Sequence, residues 1–155
     1  MTDTPIQDLY EDDYSHCYGC GRLNEHGLQI KTRWDGRESV TEFEPRPHHM
    51  AVPGYVYGGL IASLVDCHGT ATAAAAASEA QGIDLDRERP LRFVTASLKV
   101  DYLRPTPQGV PLTLRGHIKE LGERRVTVEV SLFAEEEEKV RGRVVAARMP
   151  ERMKQ

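Results

Sequence analysis

Cysteine is scarce in this 155-residue chain, which has three, Cys17, Cys20 and Cys67. An odd number cannot build an even disulfide framework, and Cys67 falls inside an apolar helical pattern, so a reducing compartment is expected. Positive charge is not in excess either: 20 Lys+Arg against 24 Asp+Glu leave a net charge of -4. That balance excludes a general nucleic-acid binder, whose phosphate contacts require a basic surface. Charge, Gly or Thr interrupts every apolar run before the roughly 20 residues a bilayer span requires. The opening MTDTPIQDLYEDD is acidic and polar. A soluble, cytoplasmic protein with no membrane or nucleic-acid partner is therefore expected. No repeat at a solenoid period and no low-complexity linker is present. What remains suits one domain, since a chain of this size buries roughly two-thirds of its unfolded surface and needs no disulfide staple.

Residues 1–15 carry few apolar anchors and read as an arm or loosely docked segment ahead of a single domain over residues 16–155. Leu28, Ile30 and Thr32 alternate with Gln29, Lys31 and Arg33; Asp35-Gly36 then marks a turn before Val40 to Phe43, which predicts an antiparallel hairpin. From Gly58 to about Gln81 the chain is apolar almost all round and rich in alanine, as a helix surrounded by packing partners must be. Gly82 fits its carboxy-terminal cap. After Pro90 the period changes to two. Leu98, Val100 and Tyr102, then Leu112 and Leu114, then Val126, Val128, Val130 and Leu132 each alternate with polar residues, and a last strand is predicted from Lys139 to Met149. Gly122-Glu123 and the acidic run Glu135 to Glu138 fall at hairpin connections, so consecutive strands are expected to be antiparallel neighbours. Two strands, one long buried helix and four strands make an α+β layout, a curved antiparallel sheet against a single helix.

Three segments carry a family resemblance. Tyr57, Gly58 and Gly59 precede an apolar helical run that reaches Asp66; Cys17-Tyr-Gly-Cys-Gly leads to Gly27-Leu28; and VTASLKVDYLRPTP runs from Val94 to Pro107. Together they resemble the phenylacetate-degradation-type (PaaI-like) acyl-CoA thioesterases of the hotdog-fold superfamily, whose signature is His-Gly-Gly followed by Asp at this spacing. The resemblance implies the hotdog fold, a curved antiparallel sheet wrapped around one long central α-helix. It implies hydrolysis of an acyl-CoA thioester in a homodimer, with Asp66 as general base on water or as nucleophile. Pairing of dimers into a homotetramer is left open. No metal or redox cofactor is implied, coenzyme A being part of the substrate.

Elementary chemistry supports this assignment of roles. A thioester carbonyl attacked by water develops negative charge on oxygen, and the backbone N–H groups of Gly58 and Gly59 at a helix start suit it. Asp66 lies eight residues beyond Gly58, roughly 12 Å along a helix rising about 1.5 Å per residue. That is too far to act on a carbonyl held at its own helix start. The simplest arrangement sets the helix start of one subunit against the Asp of another across a two-fold axis. Thr70, one turn past Asp66, faces the same way and can bond the carboxylate or its water, or simply its own helix.

Departures from the family pattern fall on the helper residues. Tyr57 stands where the signature has His, and Ala51 where related enzymes place an Asn or Gln. His48 and His49 are near enough in sequence to compensate, and His49 is the candidate with Tyr57 for substrate binding. His68 stands about 200° around the helix from Asp66 and reads as a packed or interface histidine. Arg104 is among the strand-end cations suited to coenzyme A phosphates. Cys17 and Cys20 alone cannot complete a four-ligand zinc site; His16 and His26 would make up the number, but the resemblance implies that these glycines and cysteines form a turn, so no metal is expected. The small side chains at Ala71 and from Ala73 to Ala77 suggest room for a bulky acyl group. Two further readings use the same residues: a non-catalytic acyl-CoA-binding module, and a hydratase, which needs a His and a carboxylate converging on one site.

Overall fold

A computed structural model describes residues 2–154. Six strands form one antiparallel sheet in the order β1 (Thr32–Trp34), β2 (Glu38–Phe43), β4 (Leu112–Leu121), β5 (Arg125–Ala134), β6 (Glu137–Arg148), β3 (Phe93–Tyr102). The single helix α1 (Gly58–Ala80) packs on β3, β4, β5 and β6. Long and apolar enough by composition to cross a membrane, α1 is mostly buried within the protein's own sheet, as a core helix must be.

The period-two pattern of β5 translates directly into burial. Val126, Val128, Val130 and Leu132 point inward with at most 1% exposure, while the residues between them are partly exposed. The Asp35-Gly36 turn also forms as read. Asp35 Oδ1 accepts from the amides of Arg37 and Glu38, and Gly36 takes φ +96°, a region that favours glycine.

Two expectations are corrected. The alternation from Leu28 to Thr32 is not all strand, because Gln29 has φ +58° and the amides of Leu28 and Ile30 bond the carbonyls of Tyr18 and Gly19. Those bonds spend the donors on the cysteine-bearing turn, and β1 begins only at Thr32. Consecutive strands are not all neighbours either. After α1 the chain enters β3 at the far edge, where its only strand partner among the described residues is β6, and it then returns so that β4 pairs with β2. A helix laid across the sheet face delivers the chain to that far edge.

Close approach of α1 to β6 rests on two reciprocal glycines. A Cβ on Gly69 would stand 2.4 Å from Val144 Cγ2, and one on Gly142 would stand 2.5 Å from Val65 Cγ1. A third glycine, Gly116, leaves room for His68, whose Nε2 a Cβ there would meet at 2.7 Å. His68 is fully buried within a chain of polar side chains. Its Nε2 pairs with Ser39 Oγ at 2.8 Å and its Nδ1 with Thr41 Oγ1 at 2.7 Å. Thr41 bonds Thr32 at 2.9 Å, and Gln7 donates to Thr32 Oγ1 at 2.8 Å. Residues 2–15 are thus fastened to the interior, with Ile6 and Tyr10 in the core beside Gln7.

Burial holds His68 neutral and pushes its pKa down to about 3 from 6.5. The unfolded chain takes up a proton near 6.5 that the folded chain refuses until about 3. The contribution is therefore fully present above the upper value and is lost as pH falls through the window, by about 1.4 kcal/mol per pH unit. Urea unfolding at about pH 7 and about pH 5 is expected to show this loss, with a smaller one in His68→Gln. Equal losses in the two proteins would place the acid sensitivity elsewhere.

Candidate active site

Tyr57 caps α1 without a side-chain hydrogen bond, and the intrahelical ladder opens with the amides of Leu60 and Ile61, both donating to Tyr57 O. The Gly58 and Gly59 amides lie ahead of that ladder, where a helix offers its free donors and partial positive charge. No acidic residue occupies the first turn. The Tyr57 ring folds back over Gly59, where a Cβ would lie 2.4 Å from Cε2, so a larger residue there requires the exposed ring to swing away. Gly58 is less constrained: a Cβ there would find Tyr102 Oη at 3.5 Å, an ordinary contact. Tyr102 Oη donates to Gly58 O at 2.7 Å and ties the helix start to β3.

A cleft of about 600 Å³ opens at this end of the helix, bounded by Tyr57, Gly59, Phe43, His49, Met50 and Tyr18. His49 is held by the Arg46 amide, which donates to Nδ1 at 3.0 Å, and its ring packs on Phe43 and His48. Burial, helped by the charges of His48 and Arg46, keeps its pKa below the ordinary value. Ala51 is exposed and outside the cleft lining, its amide donating to Tyr55 O.

Asp66 does not line that cleft. It sits half-buried in the third turn of α1, where Thr95 Oγ1 of edge strand β3 donates to its Oδ1. Burial raises the carboxyl above its ordinary 3.8, against the pull of the Thr95 hydrogen bond, and the charge of Cys17 adds to the rise. A carboxylate made more basic while holding one fixed hydroxyl can take a proton from water near neutral pH. The Thr70 hydroxyl donates instead to the carbonyls of Asp66 and Cys67, each at 3.3 Å, and makes no bond to the carboxylate.

The fold brings Tyr57, Gly59 and His49 together and leaves Asp66 and Thr70 apart from them. Arg104, exposed beyond the end of β3, is ion-paired with Glu137 at 3.8 Å and lies outside the cleft lining. The alanines are not lining either: Ala71, Ala73, Ala74 and Ala75 have 0% exposure and fill space against the sheet, so they provide no acyl pocket. Tyr102 and Thr95 emerge from the structure as neighbours of the site. Both belong to the VTASLKVDYL strand, and only its placement at the sheet edge beside the helix marks them. The structure also adds Cys67 to Cys17 and Cys20, which local spacing could not do.

One helix in a wrapped antiparallel sheet, with a glycine-lined helix start and a half-buried Asp further along, defines a hotdog protein with a candidate thioester-hydrolysing site. The profile of the thioesterase superfamily matches residues 53–141, and the chain belongs to that family. A thioesterase superfamily protein from Shewanella loihica PV-4 is 47% identical, with a TM-score of 0.69 over 91% of this chain and 100% of that one. The E. coli PaaI protein from the phenylacetic acid degradation operon, 18% identical with a TM-score of 0.62 over 79% of this chain and 81% of its own, shares the fold. Acyl-coenzyme A thioesterase THEM4 of Xenopus laevis is 30% identical over 90 residues, 58% of this chain. The matched region spans only 35% of that relative's length.

Proposed function

We propose that the protein is an acyl-CoA thioesterase whose site forms between two subunits, releasing a free carboxylic acid and coenzyme A. The observation that carries this reading is the half-buried, Thr95-bonded Asp66 set eight residues beyond Gly58 and seven beyond Gly59, whose amides lie ahead of the helical ladder. Water adds to the thioester carbonyl as Asp66 takes its proton, the glycine amides hold the oxyanion, and collapse expels the coenzyme A thiolate. Direct attack by Asp66 to give an anhydride uses the same geometry. The chemistry requires water and no redox cofactor. The acyl-CoA substrate class is supported by the activity in the name of the Xenopus relative. Tyr57 and His49 border the cleft that would take the reacting end of the substrate; Arg104 lies outside that lining, and a role on the phosphates requires it to leave Glu137.

Assembly is supported by β3. Its ten residues form a sheet edge with one side unpaired, carrying exposed Leu98 and Tyr102, and an edge of that length invites pairing with a second copy. Three free thiols suit a reducing, cytoplasmic setting.

A panel of acyl-CoAs with thiol release as readout tests the activity. Tight binding of every member without turnover would favour the alternative, a non-catalytic acyl-CoA-binding module. The shared site has its own test. Asp66→Asn and Gly59→Val chains, each inactive alone, are co-expressed so that mixed dimers carry one intact site. Activity of about a quarter of wild type is expected from random pairing. A mixture no more active than its components would put Asp66 and the glycines in separate reactions or in one chain.

A further inference from the structure

All three cysteines of the chain meet at one point. Cys17 and Cys20 come from the turn before β1 and Cys67 from the third turn of α1, and their sulfurs lie within 4.8 Å of one another. The backbone around them is shaped for that meeting. A Cβ on Gly19 would stand 2.5 Å from Cys67 Sγ, and one on Gly21 would stand 2.4 Å from the Cys17 amide nitrogen, so glycine at both positions lets the turn close over the helix. The turn is held by the amides of Leu28 and Ile30 and backed by the fully buried Ile30. Cys20 and Cys67 are buried, while Cys17 is exposed.

We propose that Cys17, Cys20 and Cys67 form a three-thiolate site for a zinc-class divalent ion, with water in the fourth position on the exposed Cys17 side. Zinc takes thiolates tetrahedrally at about 2.3 Å, which sets neighbouring sulfurs about 3.8 Å apart, so these need to close by no more than about 1 Å. Thiolate ligands select zinc over magnesium or calcium. A disulfide would join two of the sulfurs and leave the third without a purpose, whereas an ion uses all three. Binding releases three thiol protons to solvent and leaves the site with one net negative charge. The Arg92 guanidinium, 3.8 Å over the Tyr10 ring, is placed to offset it: its charge reaches Cys20, and its Nε is buried without a hydrogen-bond partner among the described residues. The ion's role is structural. It fastens the turn to the helix one residue from Asp66, whatever reaction that carboxylate serves.

The test is the metal content of protein produced in zinc-supplemented medium and purified under reducing conditions. One zinc per chain is expected in wild type and almost none in Cys17→Ser, whose exposed position keeps the fold. Cobalt titration of the metal-free reduced protein should give a sulfur-to-cobalt charge-transfer band in wild type that is absent from Cys17→Ser. Cys67→Ser should bind about a hundredfold more weakly or not at all; if it fails to fold, the Cys17→Ser comparison still decides. Reduced wild-type protein that is zinc-free and gives no cobalt band would overturn the site. So would equal zinc in wild type and Cys17→Ser.

Discussion

Asp66→Asn is expected to lower kcat for acyl-CoA hydrolysis by about 10²- to 10⁴-fold, the range for loss of a positioned general base. Asparagine keeps the shape and the oxygen that accepts from Thr95, so the change removes basicity and little else. Stability should hold or rise. A carboxyl whose folded pKa is raised contributes stability below its unfolded value, and that contribution is lost as pH climbs through the folded one. At neutral pH the ionised Asp66 therefore weighs against folding, and a neutral amide does not. The pH profile supplies a second readout. In wild type kcat/KM should rise with pH through an inflection above 3.8, because burial raises Asp66. That limb should survive in His49→Gln, since His49 belongs to the cleft and Tyr57 occupies the position of the signature imidazole. Transfer of the limb to His49 would move the base into the cleft, and an unchanged kcat in Asp66→Asn would remove Asp66 from the chemistry.

Gly69→Ala should destabilise the fold by about 1–3 kcal/mol, the cost of overpacking a tight core. Two effects compete here. In an exposed helix interior the change gains about 1 kcal/mol in helix propensity. At Gly69 the new methyl would stand 2.4 Å from Val144 Cγ2 and 2.5 Å from its Cβ, and a branched carbon close to the strand backbone cannot swing aside. Strain wins. For a domain of this size the melting temperature should fall by roughly 2–10 °C. Val144→Ala should rescue much of the loss when combined with Gly69→Ala, as expected for residues in contact. Gly58→Ala is the steric contrast, since its Cβ finds only ordinary contact with Tyr102 and should leave the melting temperature nearly unchanged. If Gly69→Ala is as stable as wild type, the helix does not approach β6 this closely.

Helix α1 and strand β5 were legible in the chain because each writes its own period: alanine-rich and apolar all round for one, strict alternation for the other. The hairpin at Asp35-Gly36 was legible from turn chemistry. The edge position of β3 was not, since Leu98, Val100 and Tyr102 alternate as they would in any half-buried strand. Only pairing with β6, distant in sequence, leaves the other side bare. Leu28 to Ile30 misled for a related reason: their alternation is real, but their amides are taken by a turn folded from earlier residues. At the site, the Tyr57 to Asp66 spacing signalled that the glycines and the carboxylate stand apart within one chain, and Asp66 lies outside the cleft that Gly59 lines. Thr95, Tyr102 and the meeting of Cys67 with the Cys17 turn had no local signature, because each arises where separate elements cross.

The pairing of β3 with β6 also sets a timetable for synthesis. β3 leaves the ribosome before β4, β5 and β6, yet among the described residues β6 is its only strand partner in the sheet. Through the making of some forty further residues it must wait unpaired, with one flank of the alanine-rich helix uncovered. A nascent chain at that stage displays a sticky strand and an apolar helix, the kind of surface that holdase chaperones bind. Only when residues up to Arg148 emerge can the sheet close, and with it Thr95 reaches its station beside Asp66.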